Sequence, residues 1–267
     1  MLKKIKQLTV IVVAIMSLTF QVSCFADATI IDESNISQGI IKVNYSTSYQ
    51  TKYKLAIEKD GNKQYFDLNA NESQTFPLIY DNGNYTINIM QNTTGNSYKS
   101  VYTHKLDAHI ENVNAIYLSS NCTVNWNSEM ATIKKANELT KNLSSDQEKF
   151  DAIYNYIISN YKYDYNKAAT VQPGYIPDIE QIYNSKTGIC YDYSVLLASM
   201  LRSQGIASKV VKGNSAMVDN SYHAWNEVLI DGQWIIVDTT VDAVYHASNA
   251  AISVAKSISQ YSKTSEI

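Results

Sequence analysis

The chain has 267 residues, 45% of them hydrophobic and 18% charged. That is enough for one large or two modest apolar cores and excludes a disordered polymer. The formal net charge of −3 becomes −6 once Lys3, Lys4 and Lys6 are set aside with the N-terminal segment, a balance that excludes nucleic acid as the main partner. Arg202 is the sole arginine, and the abundance of Lys, Asn, Ile and Tyr reads as codon bias in an AT-rich bacterial genome.

Residues 1–26 read as a secretory signal peptide. Lys3, Lys4 and Lys6 form its basic start, and residues 8–20 form an apolar run shorter than the roughly 20 residues that span a bilayer. Cys24, Phe25 and Ala26 offer a cleavage site before Asp27. Cys24 is also a candidate for lipid attachment, although Gln21, Val22 and Ser23 match that signal poorly. No later segment is long and apolar enough to cross a membrane. The expectation is a secreted protein, extracellular or envelope-associated, with no stable membrane insertion after cleavage. Cys122 and Cys190 then remain, and a disulfide between them or a buried thiol is the structural alternative to reactivity.

Residues 27–112 read as a small all-β domain. Strands are expected over 39–45, 53–59, 64–68, 75–80, 85–90 and 98–106. Tyr53, Leu55 and Ile57 alternate with lysines and Ala56, and Tyr85, Ile87 and Ile89 with Thr86 and Asn88, as one buried face requires. Asp60 and Gly61, and later Asp81 to Asn84, supply turns. Short strands at this spacing predict an antiparallel, Ig-like sandwich. His104 and His109 flank Asp107, but the trio reads as exposed strand residues rather than a metal site.

Residues 113–267 read as a second, α+β domain, with an exposed stretch over 111–127 open to limited proteolysis. Helices are expected over 130–139, from a capping box at Ser144 and Gln147 to about Asn160, over 179–184, and over 190–202 with Gly205 after it. Strands follow over 207–212, 222–230 and 233–239, the last two joined by Asp231 and Gly232, a strong hairpin signal.

Chemistry concentrates in this second region. Cys190 sits two residues after Gly188 at the start of a helix, where unpaired backbone N–H groups favour a thiolate. His223 offers a base and Asp238 a carboxylate to orient it. A hairpin turning at residues 231–232 pairs positions summing to about 463, which brings His223 within a diagonal of Asp238. Each residue has a structural alternative: a lone histidine is usually structural, Trp225 and Trp234 suit a core, and Glu227 suits a salt bridge.

Together, Gly188 and Cys190 opening a helix, Leu201 and Gly205 closing it, the strand 207–213, His223, Ala224, Trp225 and Glu227, then Trp234 and Asp238, resemble the transglutaminase-like superfamily of papain-like cysteine enzymes. The resemblance covers about residues 113–240. It implies an α+β core, a Cys-bearing helix packed on an antiparallel sheet, preceded here by the Ig-like sandwich. It implies Cys190 as nucleophile, His223 as base and Asp238 as its orienting partner. Tyr163 or Tyr165 would line the oxyanion site, and Trp225 is a further substrate-contact candidate. The chain departs from the family at Thr239 to Asp242, where an Asp-Pro sequence is common. The implied activity is acyl transfer through a thioester, hydrolysing peptide or amide bonds, with protein cross-linking as the alternative. No metal or organic cofactor is required, and the partner is a protein or peptide substrate, including cell-wall or surface proteins. A non-catalytic secreted module using the fold as a scaffold is the other class.

Overall fold

The computed structural model describes residues 29–267, so the signal peptide and Cys24 lie outside the described residues. The first half holds seven strands: β1 (Ile31–Asp32), β2 (Ile40–Asn44), β3 (Tyr53–Lys59), β4 (Asn62–Leu68), β5 (Ser73–Pro77), β6 (Gly83–Thr94) and β7 (Ser97–Ala108). They form two antiparallel sheets, ordered β1-β2-β5 and β4-β3-β6-β7. The expected alternation holds: Leu55, Ile57, Tyr85, Ile87 and Ile89 are buried and meet Ile41, Val43 and Phe76 of the facing sheet in one core. Asp60 and Gly61 both take positive φ (51° and 79°), the requirement of a two-residue hairpin whose twist matches its strands. Tyr85 donates its hydroxyl to the Asp81 carbonyl at 2.7 Å, and the Tyr80 N–H donates to that hydroxyl at 2.9 Å. This corner, at the start of β6, is a device of immunoglobulin-type sandwiches.

The second half begins with α1 (Ala131–Thr140), α2 (Asp146–Asn160), β8 (Lys162–Tyr163), α3 (Tyr165–Thr170), α4 (Ile179–Ser185), β9 (Thr187–Gly188) and α5 (Cys190–Ser203). It continues with β10 (Ser208–Ser215), β11 (Ser221–Ile230), β12 (Gln233–Val237), α6 (Thr239–Ala247) and β13 (Tyr261–Glu266). The sheet order is β12-β11-β10-β13, all antiparallel, while β8 and β9 form a short parallel pair. α5 is buried along its length against this sheet and the other helices, through Val195, Leu196, Leu197, Met200 and Leu201. The capping box of α2 lies one residue later than expected: Ser145 accepts the Glu148 N–H at 3.2 Å and Glu148 accepts the Ser145 N–H at 3.1 Å. Ser144 and Gln147 are displaced because Glu148, a carboxylate, is the stronger partner for the orphan N–H.

The stretch over 111–127 is not an exposed linker. Ile116, Tyr117, Asn121 and Val124 are buried, and the Cys122 N–H donates to the Thr75 carbonyl of β5 at 2.8 Å. Tyr117 packs edge-on against Trp234 of β12 with ring centroids 5.6 Å apart and donates its hydroxyl to Glu266 at 2.8 Å. Arg202 closes the joint. Its guanidinium is buried and donates to the carbonyls of Ser208, Ser119 and Ile267. The two halves therefore share a packed interface through the middle of this stretch, while Glu111, Asn112, Val113, Asn125 and Asn127 at its ends are exposed. The sole arginine, read from composition as codon bias, has a structural task.

Candidate active site

The start of α5 is built by three residues. Gly188 leaves room for Asp192, because a Cβ on Gly188 would stand 2.6 Å from the Asp192 Cβ. Asp192 folds back and accepts the Ile189 N–H at 2.8 Å. Its carboxylate is fully buried and further held by Lys167 Nζ at 2.6 Å and the Tyr175 hydroxyl at 2.6 Å. Cys190 is thereby fixed, half-buried, in the first turn of α5, where backbone N–H groups have no intrahelical acceptor. The sequence reading missed Asp192. Its signal was an acidic residue three positions after the helix cap.

Strand β11 carries His223, and the β11–β12 register delivers its partner. Asn226 pairs with Val237 and Leu229 with Trp234, both summing to 463 as the hairpin at Asp231 and Gly232 predicts. Asp238 follows β12 and caps α6, accepting the Val241 N–H at 3.1 Å. Its other oxygen lies 2.8 Å from His223 Nε2 and accepts the Tyr261 hydroxyl at 2.9 Å. Both His223 and Asp238 are buried. Burial opposes charge on His223, but the hydrogen bonds to Asp238 and Cys190 outweigh it and push the imidazole pKa up to about 10. With Nε2 engaged by Asp238, Nδ1 is the ring atom left for the sulfur. Asn226 holds the two supports together: its amide on β11 donates to the Ser194 carbonyl of α5 at 2.9 Å and the Lys209 carbonyl of β10 at 3.0 Å.

Tyr261 was not foreseen. No element was expected beyond residue 239, yet the chain forms α6 and the edge strand β13 there. An edge strand with one solvated face carries little apolar alternation, so nothing marked it. Asp242 of α6 is likewise buried, bonded to Lys256 Nζ at 2.5 Å and to the Tyr154 hydroxyl at 2.8 Å.

Cys190 and His223 are shared walls of two adjoining cavities of about 440 and 370 Å³. Met217, Val218, Val241 and Val244 make the larger one apolar. Tyr163 borders both and Tyr165 the larger one. Tyr163 is placed by the β8–β9 pairing, which sets it opposite Gly188, and its burial pushes the phenol pKa up, with the Cys190 charge adding to the rise. Tyr165 is 72% exposed at the rim and packs edge-on against Tyr163 at 4.9 Å. Trp225 corrects the expectation of a substrate contact: it is 1% exposed and lines neither cavity. It stacks behind His223 at 6.5 Å and packs on Tyr261 at 5.0 Å, because its strand position turns the ring into the small core with Val211.

The remaining sequence candidates fall away from the site. Cys122 and Cys190 are both free thiols, so no disulfide joins them. Burial pushes the Cys122 pKa up to about 12, which makes it an inert thiol at neutral pH. His104 pairs with Glu33 at 2.6 Å and His109 with Asp107 at 3.4 Å. Among the described residues, no cluster of His, Cys, Asp or Glu has the arrangement of a metal site, and no helix is long and apolar enough to cross a membrane.

A cysteine at a helix start thus shares a cleft with a histidine whose Nε2 is held by a carboxylate. Residues 133–239 match the family model of the transglutaminase-like superfamily. UPF0252 protein MJ1282 of Methanocaldococcus jannaschii is 26% identical over 117 residues, which are 40% of this chain and 33% of that protein. The chain thus spans about a third of the length of the curated relative it matches. Among solved structures, a cysteine-protease candidate from Cytophaga hutchinsonii is 14% identical, covering 85% of this chain and 83% of its own with a TM-score of 0.37. A structure described as a TGase is 21% identical over 41% of this chain and 29% of its own, with a TM-score of 0.33.

Proposed function

We propose that the protein is a secreted, cysteine-dependent acyl-transfer enzyme that hydrolyses peptide or amide bonds. The observation that carries this reading is the His223 imidazole, bonded through Nε2 to buried Asp238 and open on its other side to Cys190 in a shared cleft. His223 takes the thiol proton, and Asp238 stabilises the imidazolium that forms. The thiolate attacks the substrate carbonyl, and the oxyanion meets the Cys190 N–H and the Tyr163 hydroxyl at the cavity wall. The C–N bond then breaks. The imidazolium gives its proton to the departing amine, leaving a thioester on Cys190. Water, deprotonated by the now neutral His223, attacks the thioester, and the thiol is restored. Support comes from the superfamily match over 133–239, which includes Cys190, His223 and Asp238. Residues 1–26 are proposed as the export signal.

The test is incubation of the protein with mixed peptides, with and without a primary amine, followed by mass spectrometry. New peptide termini or deamidated side chains that vanish in Cys190→Ala support the reading. Amine incorporation with no hydrolysis assigns a cross-linking transglutaminase instead, and absence of both assigns a scaffold.

A further inference from the structure

The two cavities beside Cys190 differ in one respect that the proposed chemistry does not use. The larger is closed by aliphatic and aromatic side chains. The smaller contains Lys212 of β10, with Gln172 and the Tyr175 hydroxyl as its neighbouring polar groups. Lys212 is half-buried, its ammonium lies 3.6 Å from the centroid of the Tyr191 ring, and it joins none of the ion pairs among the described residues. No carboxylate lines this cavity. Asp192, two positions beyond the cavity-lining Cys190, is taken up by Lys167, Tyr175 and the Ile189 N–H. A cation held in a cleft without a counter-charge is poorly solvated and gains from an anion supplied in trans. Lys212 and Cys190 line the same cavity; burial pushes the Lys212 pKa down, while the Cys190 charge pulls it up.

We propose that Lys212 is a specificity-determining residue that binds a substrate carboxylate on one side of the scissile bond, while the Met217, Val218, Val241 and Val244 cavity takes an apolar group on the other. This inference rests on the acyl-transfer reading and names its substrate class: an amide or peptide with an apolar side chain on one side of the bond and a carboxylate within a residue or so on the other. The same ammonium disfavours a cationic amine acceptor in that cavity, so water is favoured as the second substrate.

The test uses a matched pair of thiol-directed probes, bromoacetyl-glycine with its carboxylate and neutral bromoacetyl-glycinamide. Alkylation of Cys190 in the full-length protein is followed by mass spectrometry at neutral pH and low salt. The rate ratio of acid to amide is expected to fall about tenfold in Lys212→Met, to be kept in Lys212→Arg, and to shrink with added salt. The imidazolium of His223 also attracts the acid, but it does so in all three proteins and cancels in the comparison. A ratio unchanged by Lys212→Met overturns the inference and leaves the proposed function standing. An acid-to-amide ratio near one in the wild type likewise overturns the inference, whereas solvent-like absolute rates of Cys190 with both probes count against the proposed function.

Discussion

The sandwich and the C-terminal region each bury an apolar core but differ in what else they bury. Among the described residues, every buried polar or charged side chain lies between Asn121 and Asp242, and the sandwich core is aliphatic and aromatic. Leu55, Ile57, Ile87 and Ile89 stabilise by leaving water. Asp192, His223, Asp238 and Asp242 are stable inside only because each is answered, by Lys167, by one another, by Tyr261 and by Lys256. The contrast separates two ways of using sequence: one half buries apolar side chains, and the other buries paired charges as well.

The largest effect expected is on turnover. Cys190→Ala and His223→Ala each should lower acyl transfer by at least about a thousandfold, with the double variant little worse, since residues sharing one step are not additive. Thermal unfolding should barely move in Cys190→Ala, whereas His223→Ala leaves the buried Asp238 carboxylate without its partner and should lower the melting temperature, so its activity is compared on the folded protein. Additive losses, measured on any substrate the wild type turns over, would break the picture of a single unit.

Stability should respond elsewhere. Asp242→Ala strands the buried Lys256 ammonium and the Tyr154 hydroxyl, at a cost of about 3–5 kcal/mol, read by urea unfolding. A loss under about 1 kcal/mol would show that Lys256 reaches solvent and that this polar burial is not costly. The matching change in the other half is Ile87→Ala, expected to cost about 2–5 kcal/mol through lost burial and a cavity. Alkylation of Cys190 in the folded fraction should be untouched by it. A changed rate would mean that the packed joint at Tyr117 and Trp234 transmits strain.

Much of this contrast is written in the sequence, and for a physical reason. Period-two alternation around Leu55 and Ile87 is local, so the strands of the sandwich are readable one at a time. The Asp231–Gly232 turn fixes a register, so the approach of His223 to Asp238 follows from counting. What stays hidden is set by tertiary partners. Tyr261 sits on an edge strand without a pattern, Lys167 reaches Asp192 from a separate short helix, and Arg202 satisfies carbonyls up to 83 residues away. Trp225 shows the limit from the other side, since a tryptophan two positions from a site histidine faces the core.

The smallest effect sharpens the account of Asp238. Tyr261→Phe removes one of its three hydrogen bonds. The expected result is a stability loss of about 0.5–1.5 kcal/mol and a modest fall in acylation rate, without loss of the Cys190 and His223 pairing. A collapse to the level of Asp238→Ala would make Tyr261 a full partner in the chemistry.

The central claim is that His223 and Cys190 act together. The folded pKa of His223, about 10, lies above its reference value of 6.5. Stability from its protonated form is therefore complete below pH 6.5 and is lost as pH rises through about 10. The direct measurement is the pH dependence of Cys190 alkylation by iodoacetamide in the wild type and in His223→Ala, resolved from Cys122 by peptide mass spectrometry. The account predicts that the wild-type rate exceeds the variant's by at least about tenfold near pH 6. That advantage should disappear above about pH 10, where His223 has lost its proton. Superimposable profiles for the two proteins, or faster labelling of Cys122 than of Cys190, would contradict it.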